Sequence, residues 1–201
     1  TISSMTESGT VKVRGEISGD TIYNIKYALS GLGADILVDL DLSATTGLTA
    51  VATGCFSNHT HLSSVELPDT ITSVSANAFI NCSNLVSVVL PSNIDRINMG
   101  TFTSCSSLTS IEIPAAVTMI GMESFEGCSS LVTVTIPVSV SEIDTNAFKD
   151  CTALTTINYA GTTTQWASID LEDSDNYQWN KGCNAISVIC TDGTVNVPAV
   201  P

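Results

Sequence analysis

Positive charge is what this chain has least of. Six Lys and Arg stand against twenty Asp and Glu, and a net charge of −14 repels phosphate backbones and anionic membrane surfaces. Nucleic acid is therefore not expected as a partner. Long apolar runs are missing too: nothing approaches the roughly 18 consecutive residues that a membrane-spanning helix needs, so direct insertion into a bilayer is not expected. The opening TISSMTESGT has no basic start followed by an apolar stretch, so any export signal is expected to have been removed or never present. Thr1 in place of an initiator Met suggests a piece of a longer chain. Only two His are available as bases and no GxSxG elbow accompanies the many serines, which argues against a Ser/His/Asp hydrolase and against an enzyme generally. Charged residues make up 13% of the chain and apolar ones 43%, so a sizeable core is available and Ser and Thr must supply much of the surface.

One 23-residue pattern recurs without interruption, starting at Leu62, Leu85, Leu108 and Leu131, with a fifth copy that begins at Leu154 and then diverges. The Phe column runs without a slip through Phe56, Phe79, Phe102, Phe125 and Phe148, so a rung with an irregular strand precedes Leu62. Each copy opens on an alternation such as Val65-Glu66-Leu67, which puts Val65 and Leu67 on the core face and Ser64 and Glu66 on the other. Pro68, Pro91, Pro114 and Pro137 end the strands, because proline cannot donate to a ladder. A second extended piece turns Ile71 and Val74, and their equivalents in later copies, inward. Ala78 to Cys82 reads as a short helical turn back to the next Leu. A single copy cannot bury enough apolar surface to offset the ordering of its own backbone, so the copies must stack.

Both ends of a stack need covering. At the start, Val11 to Arg14 alternates like a strand, and Asp20 is placed to cap a helix carrying Ile22, Ile25, Leu29 and Leu32 on one stripe, with Gly31 and Gly33 beyond it. Asp35 to Leu42 should pair as the first rung. Towards the end, Trp166 and Leu171 lie one full period after Ile143 and Phe148, so the phase is expected to persist briefly. Tyr159, Trp166, Tyr177 and Trp179 should then seal the array. The division expected is one solenoid domain, with residues 1–37 as N-terminal cap, 38–158 as repeats and 159–201 as C-terminal cap.

Written out as LxxVxLPxxVxxIxxxxFxxCxx, the repeat resembles that of the BspA-like leucine-rich-repeat proteins of bacterial and protist surfaces. The resemblance covers roughly residues 38 to 170, and Tyr159-Ala160-Gly161-Thr162 with Gln165-Trp166 is similar to the family's ending. It departs where Cys55 stands in the alanine column and His59 in the cysteine column. The resemblance implies a right-handed leucine-rich-repeat solenoid of five to six rungs, mainly β with short helical turns. It also implies an exported protein, and no catalytic residues come with it; a monomer without a cofactor is expected. Family members are typically surface antigens or adhesins, some binding host extracellular-matrix or plasma proteins, so an extracellular binding role is expected.

Four of the seven cysteines, Cys82, Cys105, Cys128 and Cys151, share one column. Rungs about 4.8 Å apart satisfy the Cα separation of a disulfide, but parallel side chains keep their Cβ atoms too far apart for one, so the column reads as free thiols filling the core. Cys183 and Cys190 are the only pair whose spacing allows a local disulfide, an alternative to two further free thiols. Cys55, His59 and His61 have metal-compatible types without zinc spacing, and Asp170, Glu172, Asp173 and Asp175 do not match a calcium loop; a surface loop and a solvated turn are the readings. What remains is the solvent face of the sheet: Ser64, Glu66, Ser87, Val89, Ser110, Glu112, Thr133, Thr135, Thr156 and Asn158. In a solenoid such a concave face is the usual docking surface for a protein or glycan. The alternatives are binding through loops or caps, or a stalk that projects another domain.

Overall fold

The computed structural model describes residues 5–17, 19–171, 173–174 and 177–200. Short strands dominate it, stacked in parallel into two rows. The inner row holds the opening strand of each copy: Leu62–Glu66, Ser87–Val89, Ser110–Glu112, Thr133–Ile136 and Thr156–Tyr159. Register follows the repeat, with Ser64 opposite Ser87, Ser110 opposite Thr133 and Thr133 opposite Thr156. The second row pairs Val51 with Val74, Ile97 with Ile120 and Ile120 with Ile143.

The core lies between the rows, where every apolar column meets its counterpart in the next rung. Leu62, Leu85, Leu108, Leu131 and Leu154 are fully buried, and Ile71, Val74, Ile94, Ile97, Val117, Ile120, Val140 and Ile143 are buried as the inward pattern requires. Phe56, Phe79, Phe102, Phe125 and Phe148 form one continuous stack with centroids 5.1 to 5.5 Å apart and near-parallel rings.

The segment around each Phe is not the short helical turn expected from sequence. Ile80 N–H donates to Asn77 O and Cys82 N–H to Phe79 O, which are turn bonds, while Asn77, Phe79 and Asn81 donate to Met99, Thr101 and Thr103 of the next rung. Two positions per rung lie in the left-handed region. Two places before the Phe stand Gly54, Asn77, Gly100, Glu123 and Asn146, and two after it Asn58, Asn81, Ser104, Gly127 and Asp150, all with φ between 55° and 71°. These residues break the helix, and Gly and Asn recur there because they tolerate positive φ best.

At the start, Gly9–Lys12 pairs with Val38–Asp41, and Gly15–Glu16 pairs with Thr45–Thr46. The helix Gly19–Ser30 follows, beginning before Asp20, whose side chain lies outside the described residues. Ile22, Ile25 and Leu29 are buried against the core and Leu32 packs beside it. Val38–Asp41 in turn pairs with Leu62–Glu66, with a register shift between Val38 and Asp39.

The end differs more from expectation. A helical turn, Thr163–Trp166, carries a reciprocal cap in which Thr162 and Gln165 each bond the other's backbone. It lengthens the path, so Leu171 pairs with Ile143 and does not extend the Phe column. The rung pattern nonetheless resumes. Phe125 N–H donates to Ala147 O, and the same bond from Phe148 goes to Trp179 O, nine places beyond where the repeat alone would put its acceptor. Asn180 thus takes the Phe place, Gly182 at φ 76° the second left-handed place, Cys183 the Cys place and Ile186 the Leu place. Strand Ile186–Cys190 pairs with Thr156–Tyr159, and Gly193–Val197 closes the row antiparallel. Tyr159, Trp166, Trp179 and Phe148 meet edge to face over this end; the side chain of Tyr177 lies outside the described residues.

Candidate functional site

The pleat sends alternate side chains of the inner row to solvent. Ser64, Thr133, Thr135, Thr156 and Asn158 are half-buried, and Glu66, Ser87, Val89, Ser110 and Glu112 are exposed, so all ten expected face residues sit on the accessible side. Register adds more at either end. One column reads Thr10, Asp39, Ser64, Ser87, Ser110, Thr133, Thr156, Ser187, and the other Lys12, Asp41, Glu66, Val89, Glu112, Thr135, Asn158, Ile189. The flanking residues were missed because the steps from Thr10 to Asp39, from Asp39 to Ser64 and from Thr156 to Ser187 are all longer than the 23-residue period.

Charge on this face is concentrated at one end. Asp39 accepts hydrogen bonds from Ser63 at 2.7 Å and Ser64 at 2.9 Å. Lys12 bonds Asp41 at 2.8 Å, and this bond, followed by those from the Ser43 hydroxyl and amide, holds the Asp41 carboxyl down to about 2. Glu66 and Glu112 have no ion-pair partner among the described residues. Two grooves open here. One, of about 420 Å³, runs from Thr10 and Lys12 past Asp39, Asp41 and Glu66 to Ser87 and Val89. The other, of about 480 Å³, continues from Ser87 and Val89 to Ser110, Glu112, Pro114 and Ala115.

The other candidates stay apart from this face. Each column thiol donates to the carbonyl of a Phe one rung back: Cys82 to Phe56 at 3.0 Å, Cys105 to Phe79 at 3.2 Å, Cys128 to Phe102 at 3.2 Å and Cys151 to Phe125 at 3.1 Å. Burial pushes Cys82 and Cys128 up to about 12, and Cys105 and Cys151 well above the usual thiol value. Cys183 joins this column, donating to Phe148 at 3.0 Å, and both it and Cys190 are free thiols, so the local disulfide does not form. His59 is buried edge-on to Phe56 and is not in a surface loop; burial first, then Lys26 and His61, lower its affinity for a proton. His61 instead lies 2.9 Å from Ile36 O. Among the described residues no three metal-ligating side chains come together. Asp170 lies in a strand beside Glu142; Glu172, Asp175 and the side chain of Asp173 lie outside the described residues.

The model of the BspA type leucine rich repeat region, with six copies, matches residues 40–172. A leucine rich cell surface protein from Faecalibacterium prausnitzii is 36% identical over 67% of this chain and 35% of its own, with a TM-score of 0.63. The leucine rich repeat protein of T. pallidum is 35% identical over 60% of this chain and 57% of its own, at 0.57. A leucine-rich repeat protein from Eubacterium ventriosum, 21% identical over 70% of this chain and 42% of its own, shares the fold at 0.54. The matched part spans about a third to under three fifths of these relatives' lengths. No curated protein sequence matches the chain. With the rung register, the stacked Phe column and a family model covering about two thirds of the residues, the chain belongs to the BspA-type leucine-rich-repeat family.

Proposed function

We propose that the chain is a non-enzymatic, monomeric recognition module of a cell-surface protein, adhesin-like, taking a protein or glycan ligand on the solvent face of its inner row. The whole is read as one right-handed solenoid domain, closed by the helix at one end and the aromatic cluster at the other. The observation that carries the reading is the coincidence of two adjoining grooves with the two ordered columns of that face. Strands hold such side chains in fixed positions, which lowers the entropic cost of docking. The setting outside the cell is supported by the F. prausnitzii relative, a cell surface protein. Host extracellular-matrix and plasma proteins are the first ligands to try.

A spacer role is the rival, favoured by the small hydroxyls that fill most of the first column. The two separate on a variant with Glu66→Lys, Glu112→Lys and Thr133→Arg. Capture of a partner from matrix or plasma extract should be lost while the melting temperature stays nearly unchanged. No capture by the native chain, or equal capture by the variant, refutes the face as the binding surface.

A further inference from the structure

The inner row is not continuous. After strands Val38–Asp41, Leu62–Glu66 and Ser110–Glu112 the following amide bonds the next rung: Leu42 to Glu66 O at 2.9 Å, Leu67 to Val89 O at 3.1 Å and Ile113 to Thr135 O at 2.9 Å. Among the described residues Leu90 makes no such bond to Glu112 and strand Ser87–Val89 does not pair with Ser110–Glu112, although Thr109 N–H donates to Val86 O at 3.3 Å just before them. Elsewhere the same two rungs stay joined, through Phe102 N–H to Ser124 O at 2.8 Å and the pairing of Ile97 with Ile120. The opening is therefore local to the solvent face. Its effect on burial is direct. Val88 and Leu90 are only half-buried, whereas Val65, Leu67, Ile111 and Ile113 in the same columns are 1 to 4% exposed. Val89 beside them is 56% exposed, in a column otherwise occupied here by carboxylates.

We infer that this opening anchors the ligand of the face, and that it takes an extended peptide segment with an aliphatic side chain between two basic ones. The inference rests on the reading of the face as a binding surface and names the ligand chemistry. Val88, Val89, Leu90 and Ala115 form an apolar floor within a groove of about 480 Å³, within the volume range of ligand sites. Glu66 and Glu112 stand one rung to either side of Val89, without ion pairs among the described residues, and Asp39 continues the negative charge beyond Glu66, where Asp41 is already paired with Lys12. Rungs lie about 4.8 Å apart, and in an extended peptide alternate side chains share a face at about 6.6 Å. An aliphatic residue seated over Val89 thus puts its neighbours at two places before and after it slightly past the carboxylates. Lys and Arg are long enough to reach back. Acidic segments are repelled by a net charge of −14.

The probe is a capped pentapeptide with arginine first and fifth, leucine third and serine between, titrated into the ¹⁵N-labelled chain. Saturable amide shifts should centre on Val88, Val89, Leu90 and Ile111. Val89→Ser should weaken binding at least tenfold, and Glu66→Gln with Glu112→Gln should weaken it and flatten its salt dependence. The inference is overturned by no saturable shift, by shifts centred elsewhere, or by equal binding of a peptide with serine third, which would mean charge alone. A silent titration alongside partner capture that the triple variant loses would refute this anchor and leave the face standing. Loss of both would refute both.

Discussion

Replacing Phe102 by Ala tests the column that joins the rungs. The ring is fully buried between Phe79 at 5.5 Å and Phe125 at 5.4 Å, tilted 7° and 12° from them. A buried Phe→Ala change costs about 3–5 kcal/mol through lost transfer energy and the cavity left behind. Each aromatic pair adds about 0.5–1.5 kcal/mol, so a ring with two ring neighbours belongs near the top of that range, at about 4–5 kcal/mol. Phe56, stacked on Phe79 alone and met on its other side only by the edge of His59 at 6.5 Å, should lose less. Against a domain stability of about 5–15 kcal/mol this is a large share. Urea unfolding followed by far-UV circular dichroism and by Trp fluorescence separates the outcomes. Trp166 and Trp179 are both buried at the C-terminal end, so fluorescence reports that end while dichroism averages over all rungs. Coupling passes only between neighbouring rungs. The dichroism midpoint should therefore fall further than the fluorescence midpoint. Thr133→Ala, on the solvent face, should change stability by less than about 0.5 kcal/mol. Equal losses at Phe102 and Thr133 would refute the assignment of inside and outside.

Glu123 occupies a left-handed position at φ 55°, where its column mates Gly54, Asn77, Gly100 and Asn146 are all Gly or Asn. Relief of about 1–2 kcal/mol of strain, less about 0.4–1 kcal/mol of added unfolded-state entropy, makes Glu123→Gly stabilising by about 0.5–1 kcal/mol, and a lowered melting temperature would contradict this. Gly127 at φ 71° has room for a methyl group, so Gly127→Ala should cost about 1 kcal/mol through conformation alone, with the opposite sign in the same assay. In thiol labelling followed by mass spectrometry, half-buried Cys55 should react first and Cys82, Cys105, Cys128 and Cys151 only on unfolding. A thiol held near 12 carries almost no thiolate at neutral pH; labelling of the column as fast as Cys55 would show that it is not sealed.

What the sequence made legible was whatever recurs at a fixed spacing and is apolar. The Leu, Phe and Cys columns, the inward Ile and Val positions and the solvent-facing Ser64 to Asn158 all follow from one constant period and a two-residue alternation. Backbone conformation was harder to read. Ala78 to Cys82 has the composition of a helical turn, and only the alignment of Gly54 with Asn77, Gly100 and Asn146 signals positive φ. The last rung was hidden because nine added residues displace it and because Asn180 replaces a Phe. Gly182, Cys183 and Ile186, with the spacing of Gly127, Cys128 and Leu131, were the available signal. The opening beside Val89 left no mark in the residues: Leu90 and Pro91 fit the pattern as well as Leu67 and Pro68, and the structure offers no local cause for the missing bond.

The bond from each cysteine to the Phe carbonyl one rung back has a consequence for how such a chain changes over generations. Together with the left-handed turns it repeats the same contact at each junction from Cys82 to Cys151, and none of these groups reaches the solvent face. A unit can be duplicated or lost without rewriting its neighbours, and the nine residues gained before Trp179 show that even a junction of altered length restores the same contact through Cys183. The outward residues carry no part of that contact. The outward residues can drift, or be replaced outright, while the framework is inherited unchanged.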